Sequence, residues 1–285
     1  MIMIMSMDLV PWLFLFPASL WMLLSRSVRG PLLLFTVGYL CAFAVGQLTW
    51  LSLPSLVLLF ASAGAVQAQR PQPVRMLGYA LFIAVTLSLR AHLVPGFHNP
   101  LVLDTQFSEG ATRFRMYFNL DKLLIVLWVA YAWRQVKWEA SPQRAVAVGV
   151  VVSAATLALC IGMAWGSGLV VWDPKWPSTA WVWALNNLLL VCVAEEVLFR
   201  GFIQSGLSQQ WRKWRHGPLA AIAVGAALFG LAHAGGGYAY MLLAAIAGVG
   251  YGFAYRRGGM LAAVVAHAVF NMIHFGFFTY PMLAG

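Results

Sequence analysis

The chain has 285 residues, of which 62% are hydrophobic and only 9% charged, and its mean hydropathy is +0.80. A soluble domain carries about 25% charged residues, so this composition excludes a water-soluble globular enzyme and, being so apolar, also excludes intrinsic disorder. The net charge of +10 does not imply nucleic acid, because the basic residues stand in pairs and triplets between apolar stretches, a pattern that reports membrane orientation.

Apolar runs able to cross about 30 Å of hydrocarbon fall near residues 9–25, 31–49, 51–69, 76–96, 119–134, 145–166, 178–203, 217–233, 238–255 and 259–279. They predict an all-α polytopic transmembrane helical bundle of about ten spans. Eight or nine also fit, because only a few residues near Pro54 separate the second and third runs, and the fifth is short. The runs are too uniformly apolar for barrel strands, which alternate in polarity.

With the N-terminus outside, the inner loops carry Arg26, Arg29, Arg70, Arg75, Arg134, Lys137, Arg144, Arg212, Lys213, Arg215, Arg256 and Arg257. The outer segments hold only Arg113, Arg115, Lys122 and Lys175, together with Asp8, Asp104, Glu109, Asp121 and Asp173. That asymmetry supports ten spans and an outside N-terminus. The first span lacks the basic flank of a signal peptide and is expected to be retained. The longest extramembrane segment, 97–118, is too small for a soluble domain. Cys41, Cys160 and Cys192 lie in apolar runs with no CxxC pairing, so no disulfide framework is expected. The chain divides into an N-terminal transmembrane region, 1–144, with about five spans, and a C-terminal one, 145–285.

Polar groups inside spans mark candidate sites, since a charge at a helix centre costs about 2.5 to 3.5 kcal/mol on insertion scales. Glu195, Glu196 and Arg200 share the seventh span. Glu196 and Arg200, at i and i+4, can pair on one face, and Glu195, about 100° away, is left for chemistry. His233 ends the eighth span, one turn after Phe229. His267 and Asn271 are i and i+4 in the tenth, with His274 on the same stripe. Measured inward at about 1.5 Å per residue, Glu195, His233, His267 and Asn271 fall within roughly 10 Å of a common depth.

A carboxylate with an imidazole can hold and deprotonate a water, and a second imidazole with an amide can donate hydrogen bonds to a developing oxyanion. Together they describe hydrolysis of an acyl bond without a covalent intermediate. Cys192 reads as a small packing residue. One carboxylate and two histidines would also suit zinc, although HExxH spacing is absent.

At these residues the sequence resembles the CPBP family of intramembrane glutamic endopeptidases, also called the Abi or CAAX protease family, which includes the type 2 CAAX prenyl endopeptidase. EExxxR is matched by Glu195 to Arg200, FxxxH by Phe229 to His233, and HxxxN by His267 to Asn271, in order and on successive apolar helices. The resemblance covers about 178–279, with a weaker echo in the segment Asn119 to Lys122. It implies that Glu195 and His233 hold the nucleophilic water, that His267 and Asn271 form the oxyanion hole, that Glu196, Arg200 and Phe229 support them, and that no metal or other cofactor is required.

Gly248 and Gly252, a GxxxG spacing that also contains Gly250, suit close helix packing. Arg90 near a span end can snorkel to headgroups, and His92, His98 and His216 read as solvated. The expected function is an intramembrane endopeptidase acting on a membrane-associated protein or peptide, with the lipid bilayer and no nucleic acid as its surroundings. A zinc-dependent CAAX-type metalloprotease, a transporter using a proton relay and a non-catalytic immunity or assembly factor are the alternatives. The Arg-, Ala- and Trp-rich usage points to a bacterial cytoplasmic membrane.

Overall fold

Apolar sequence becomes helix throughout, because a backbone surrounded by hydrocarbon must satisfy its polar groups internally. The computed structural model describes residues 6–25, 29–133, 135–137 and 141–284. Arg26 and Arg134, both counted above as inner-loop charges, lie outside the described residues. The helices are α1 (Trp12–Leu24), α2 (Arg29–Ala44), α3 (Leu53–Ala65), α4 (Gln72–Arg90), α5 (Leu120–Ala132), α6 (Pro142–Gly166), α7 (Ala180–Gln210), α8 (Gly217–Leu231) and α9 (Tyr238–Phe277). Proline opens the first turn of α3, α4, α6 and α8, where its missing N–H costs nothing. Ser141 caps α6 by accepting the Arg144 N–H at 3.3 Å.

Among the described residues, five helical segments are long and apolar enough to cross a membrane: Met7–Leu24, Gln72–Arg90, Pro142–Gly166, Ala180–Gln210 and Tyr238–Phe277. Arg29–Ala44, Trp50–Ala65 and Gly217–Leu231 are apolar but shorter. The helical, apolar class is therefore as expected, while the count of ten exceeds the five that length and hydropathy support. The 40 residues of α9 would reach about 60 Å if straight, twice the hydrocarbon thickness. They do not run straight: Gly259, at φ 71° and ψ −164°, leaves helical geometry, a conformation that suits glycine, and divides α9 into arms 238–258 and 260–277. Large side chains on the outer helix faces, such as Leu13, Phe60, Val151 and Leu231, are exposed, as a lipid-facing surface requires.

The all-α expectation misses a small hairpin, β1 (Leu101–Thr105) and β2 (Phe114–Tyr117). It lies in the extramembrane segment 97–118, where water relieves the demand for helix. Gly110, at φ 68°, sits in the connection between the strands, and Asp104 accepts from Arg113 at 2.5 Å and faces Arg115 at 3.5 Å.

The chain forms two compact units. The one built from α1 to α5 is held by aromatic packing. Phe82 stacks on Trp128 with centroids 3.6 Å apart, Trp128 Nε1 donates to Ser62 Oγ at 2.7 Å, and Trp12, Phe16 and Phe118 cluster. The first turn of α5 tucks Asp121 inward, 2% exposed. Its Oδ2 meets His92 Nδ1 at 2.6 Å and accepts from Asn99 Nδ2 at 3.3 Å. His92 is thus bound to a buried carboxylate rather than merely solvated, and Asp121 is not a loop charge; span counting does not resolve which way the first turn of a helix faces.

The second unit contains α6 to α9 and most of the hairpin. After α9, residues 278–284 run between the 169–175 loop and the hairpin. Thr279 and Leu283 donate to the carbonyls of Val171 and Leu169 at 3.0 and 2.9 Å. On the other side Thr112 donates to Met282 and Ala284 to Gly110, at 2.9 and 2.8 Å.

Candidate active site

Within α7, two stretches of π-helix, Asn187–Cys192 and Val197–Gln204, flank a single α-helical turn, Val193–Glu196. Wide turns of this kind re-aim side chains and recur at functional sites. Here they bracket the two adjacent glutamates, which leave the helix in different directions. Glu196 points to α9 and Glu195 toward the turn that follows α8.

Glu196 is fully buried, and its Oε1 accepts from Arg200 Nη1 at 3.1 Å and from His267 Nδ1 at 2.9 Å. Arg200 is itself 1% exposed. A buried guanidinium is tolerable only when its donors and charge are matched, and they are: Nη2 donates to the Gly248 carbonyl at 2.9 Å, and the cation lies 4.6 Å from the Phe229 ring centroid, within cation–π range. One turn on, Gln204 Nε2 donates to the Gly252 carbonyl at 3.0 Å. The two glycines therefore do more than permit packing, since their exposed carbonyls receive the polar ladder of α7. A Cβ at Gly248 would meet Ala226 Cα at 3.0 Å, and one at Gly252 would meet Ile222 Cγ2 at 2.8 Å.

The FxxxH spacing has an equally local cause. His233 sits in the turn after α8, and its Nδ1 donates to the Phe229 carbonyl at 2.8 Å. A carbonyl can only accept, so Nδ1 carries a proton and Nε2 is the nitrogen facing the site. Nε2 lies 3.9 Å from Glu195 Oε2, too far for a direct hydrogen bond. The Phe229 ring packs under the His233 ring, centroids 4.5 Å apart, and edge-on to His267.

Glu195, His233, His267 and Asn271 line one cavity of about 230 Å³, together with Phe229 and His274. That volume is several times what one water needs. Glu196 and Arg200 are not among its lining residues. His274 is turned to the carbonyl of Thr279 at 3.2 Å, and Tyr280, Pro281 and Met282 form part of the cavity wall. Cys192 is buried, as expected of a packing residue, although its Sγ also donates to Asn187 Oδ1 at 3.4 Å.

Three lining or adjoining residues escaped the sequence reading. Tyr251 stacks on the His267 ring, centroids 4.5 Å apart and 16° from parallel. Asn187 Oδ1 accepts from Asn271 Nδ2 at 3.2 Å, which orients the Asn271 amide. Asn186 beside it is buried and lines the cavity. Two consecutive amides within an apolar span are costly in lipid, and that signal could have drawn attention to them. Among the described residues no group of three or more His, Cys, Asp or Glu side chains is arranged to hold a metal ion.

Residues 177–273 match the family model described as type II CAAX prenyl endopeptidase Rce1-like, which bears out the resemblance carried by the three motifs. The match takes in α7, α8 and most of α9, and leaves 1–176 unmatched. No curated protein and no solved structure matches the chain.

Proposed function

We propose that the protein is an intramembrane endopeptidase of the glutamic type, which hydrolyses a peptide bond of a membrane-associated protein or peptide. The observation that carries this reading is the facing of Glu195 Oε2 and His233 Nε2 across 3.9 Å inside a cavity roomy enough for water. The family match over 177–273 supports peptide hydrolysis as the reaction class.

In this reading a water sits between Glu195 and His233. The Glu195 carboxylate takes its proton as the water oxygen attacks the scissile carbonyl carbon, and the C=O π electrons move to oxygen. Asn271 receives that oxyanion. One of its two amide hydrogens is committed to Asn187, and the other meets only the thiol of Cys192, at 3.8 Å, a weak acceptor. His267 assists from the nitrogen that does not bond Glu196. For Nε2 to donate as well, both ring nitrogens must carry protons, and the two carboxylates Glu195 and Glu196 together then offset the Arg200 and His267 cations. Collapse of the tetrahedral intermediate breaks the C–N bond, and the proton first taken from water goes to the leaving amine. Glu196 and Arg200 hold these groups in place from outside the cavity, and Phe229 supports His233 from within its wall.

We further infer an orientation in a bacterial cytoplasmic membrane with the N-terminus outside, so that Arg212, Lys213, Arg215, Arg256 and Arg257 face the basic-rich inner side. The test of function is a comparison of membrane-protein termini by mass spectrometry between cells carrying the native chain and cells carrying Glu195→Gln. New termini that depend on Glu195 support the reading; identical termini with equal protein levels contradict it.

A further inference from the structure

A second cavity, of about 420 Å³, lies where the end of α7, the start of α8 and the middle of α9 meet the segment 135–137, and it shares no lining residue with the first. That volume is within the usual range of small-molecule pockets, about 300 to 1,000 Å³. Its wall is polar: Lys137 and Arg256 bring cations, and Gln135, Ser208, Gln209 and Tyr255 bring amides and hydroxyls. No Asp or Glu lines it. The segment carrying Lys137 is stitched to α9 on both sides of the Gly259 break. The Lys137 N–H donates to Tyr255 Oη at 2.7 Å, and the Lys137 carbonyl accepts from the Met260 N–H at 2.9 Å. Lys137 Nζ donates to the main-chain carbonyl of Arg256, which fixes the ammonium beside that residue and leaves two of its three hydrogens for other acceptors.

Among the described residues no ion pair joins Lys137 or Arg256 to a carboxylate. The sequence explains why: residues 197–285 contain no Asp or Glu, while Arg212, Lys213, Arg215, Arg256 and Arg257 all stand in that stretch. Glu139, the one acid within 122–172, lies outside the described residues. A planar guanidinium, an ammonium, and amide and hydroxyl donors around one space suit a phosphate, whose oxygens take several charge-assisted hydrogen bonds at once. Basic pockets between membrane helices are places where phosphate headgroups dock. The level of the cavity agrees. Pro218 is part of its wall, and in the turn just before Pro218 the exposed Trp214 stands between Lys213 and Arg215, the pairing of tryptophan and basic residues that marks the headgroup layer. We propose that this cavity binds a phosphate group through Arg256 and Lys137, and that an acidic phospholipid headgroup is its source. The site goes beyond the endopeptidase reading and does not depend on it, since none of its lining residues belongs to the hydrolytic machinery.

The test is thermal unfolding of the purified full chain in a neutral detergent at constant ionic strength, titrated with dihexanoyl phosphatidylglycerol, with inorganic phosphate or with hexanoate. A ligand that binds only the folded state raises the unfolding midpoint as its site fills. Phosphatidylglycerol should raise the midpoint saturably, and hexanoate, a carboxylate with the same acyl chain, should not. A rise with phosphatidylglycerol alone supports the headgroup as the source; an equal rise with inorganic phosphate supports the site with free phosphate as its source. Combining Lys137→Gln with Arg256→Gln should weaken the apparent affinity at least about tenfold, the scale of one lost charge-assisted hydrogen bond. Combining Arg212→Gln with Arg215→Gln, outside the cavity wall, should leave it unchanged. The proposal is overturned if neither phosphate source raises the midpoint of the wild-type protein, a result that needs no variant to fold. It is equally overturned if hexanoate raises the midpoint as much, or if both pairs of substitutions weaken binding alike, which would assign the effect to diffuse charge rather than to this cavity.

Discussion

Glu196 and His267 are joined by a 2.9 Å hydrogen bond through a carboxylate oxygen that also receives Arg200 at 3.1 Å. The second glutamate of the first motif is therefore the anchor of the third motif's histidine. Arg200→Ala leaves a buried carboxylate without its fixed cation, a loss on the order of 3 to 5 kcal/mol, to be read by thermal unfolding in detergent. The cycle Glu196→Gln with His267→Ala should be non-additive by about 0.5 to 3 kcal/mol; strict additivity would show that the bond does not couple them.

Two glycines should respond in opposite directions to a methyl group or more. Gly252→Val drives side-chain atoms against Ile222 and Gln204 and should cost about 1 to 3 kcal/mol through overpacking. Gly162, inside α6, has nothing within 4 Å of a new Cβ, so Gly162→Ala should gain up to about 1 kcal/mol from helix propensity. Unfolding midpoints of the two variants, measured side by side, check both signs.

The hairpin should loosen in acid. The hydrogen bond from Arg113, aided by the charges of Arg113 and Arg115, holds the Asp104 carboxyl below its ordinary range. A depressed folded-state value means that the stabilisation is present above the unfolded value and is lost as pH falls through the folded one. Hydrogen exchange of the hairpin amides should therefore gain an acid-dependent opening below the usual carboxylate range, on top of the intrinsic pH dependence of exchange. Asp104→Asn should lack it; an unchanged acid response in that variant would assign the effect elsewhere.

His233 and Phe229 should separate in kinetics. His233→Ala removes the nitrogen facing Glu195 and should lower kcat by about 10²- to 10⁴-fold, the usual range for a general acid–base group. Phe229→Leu loses the ring under His233 and Arg200 but keeps the backbone carbonyl that fixes the tautomer, so its effect on kcat should be smaller. Cleavage assays on the two variants decide the order.

The sequence reading reaches the helical class, the three motifs, the Glu196–Arg200 pair and the division of 238–279 into two segments near Arg256 and Arg257, because each is local: an apolar run, an i to i+4 spacing or a basic pair between apolar runs. It does not reach what depends on how helices turn against one another. The π-helical stretches around Glu195 leave no mark in composition. The bond from His267 to Glu196 rather than to an open cavity, the stacking of Tyr251 on His267, and the burial of Asp121 against His92 are all tertiary. Span counting likewise cannot tell a short apolar helix such as α8 from one that crosses the membrane alone. Asn186 and Asn187 were legible in principle, as paired amides in lipid, and the bond from Asn271 to Asn187 was not.

The most direct measurement compares cleavage of one Glu195-dependent peptide by the purified wild-type protein and by Glu195→Gln, with both shown to unfold at the same temperature. Removing the carboxylate that takes the water's proton should slow turnover by at least about a hundredfold. Turnover within a few-fold of wild type would contradict a glutamate-activated water as the nucleophile.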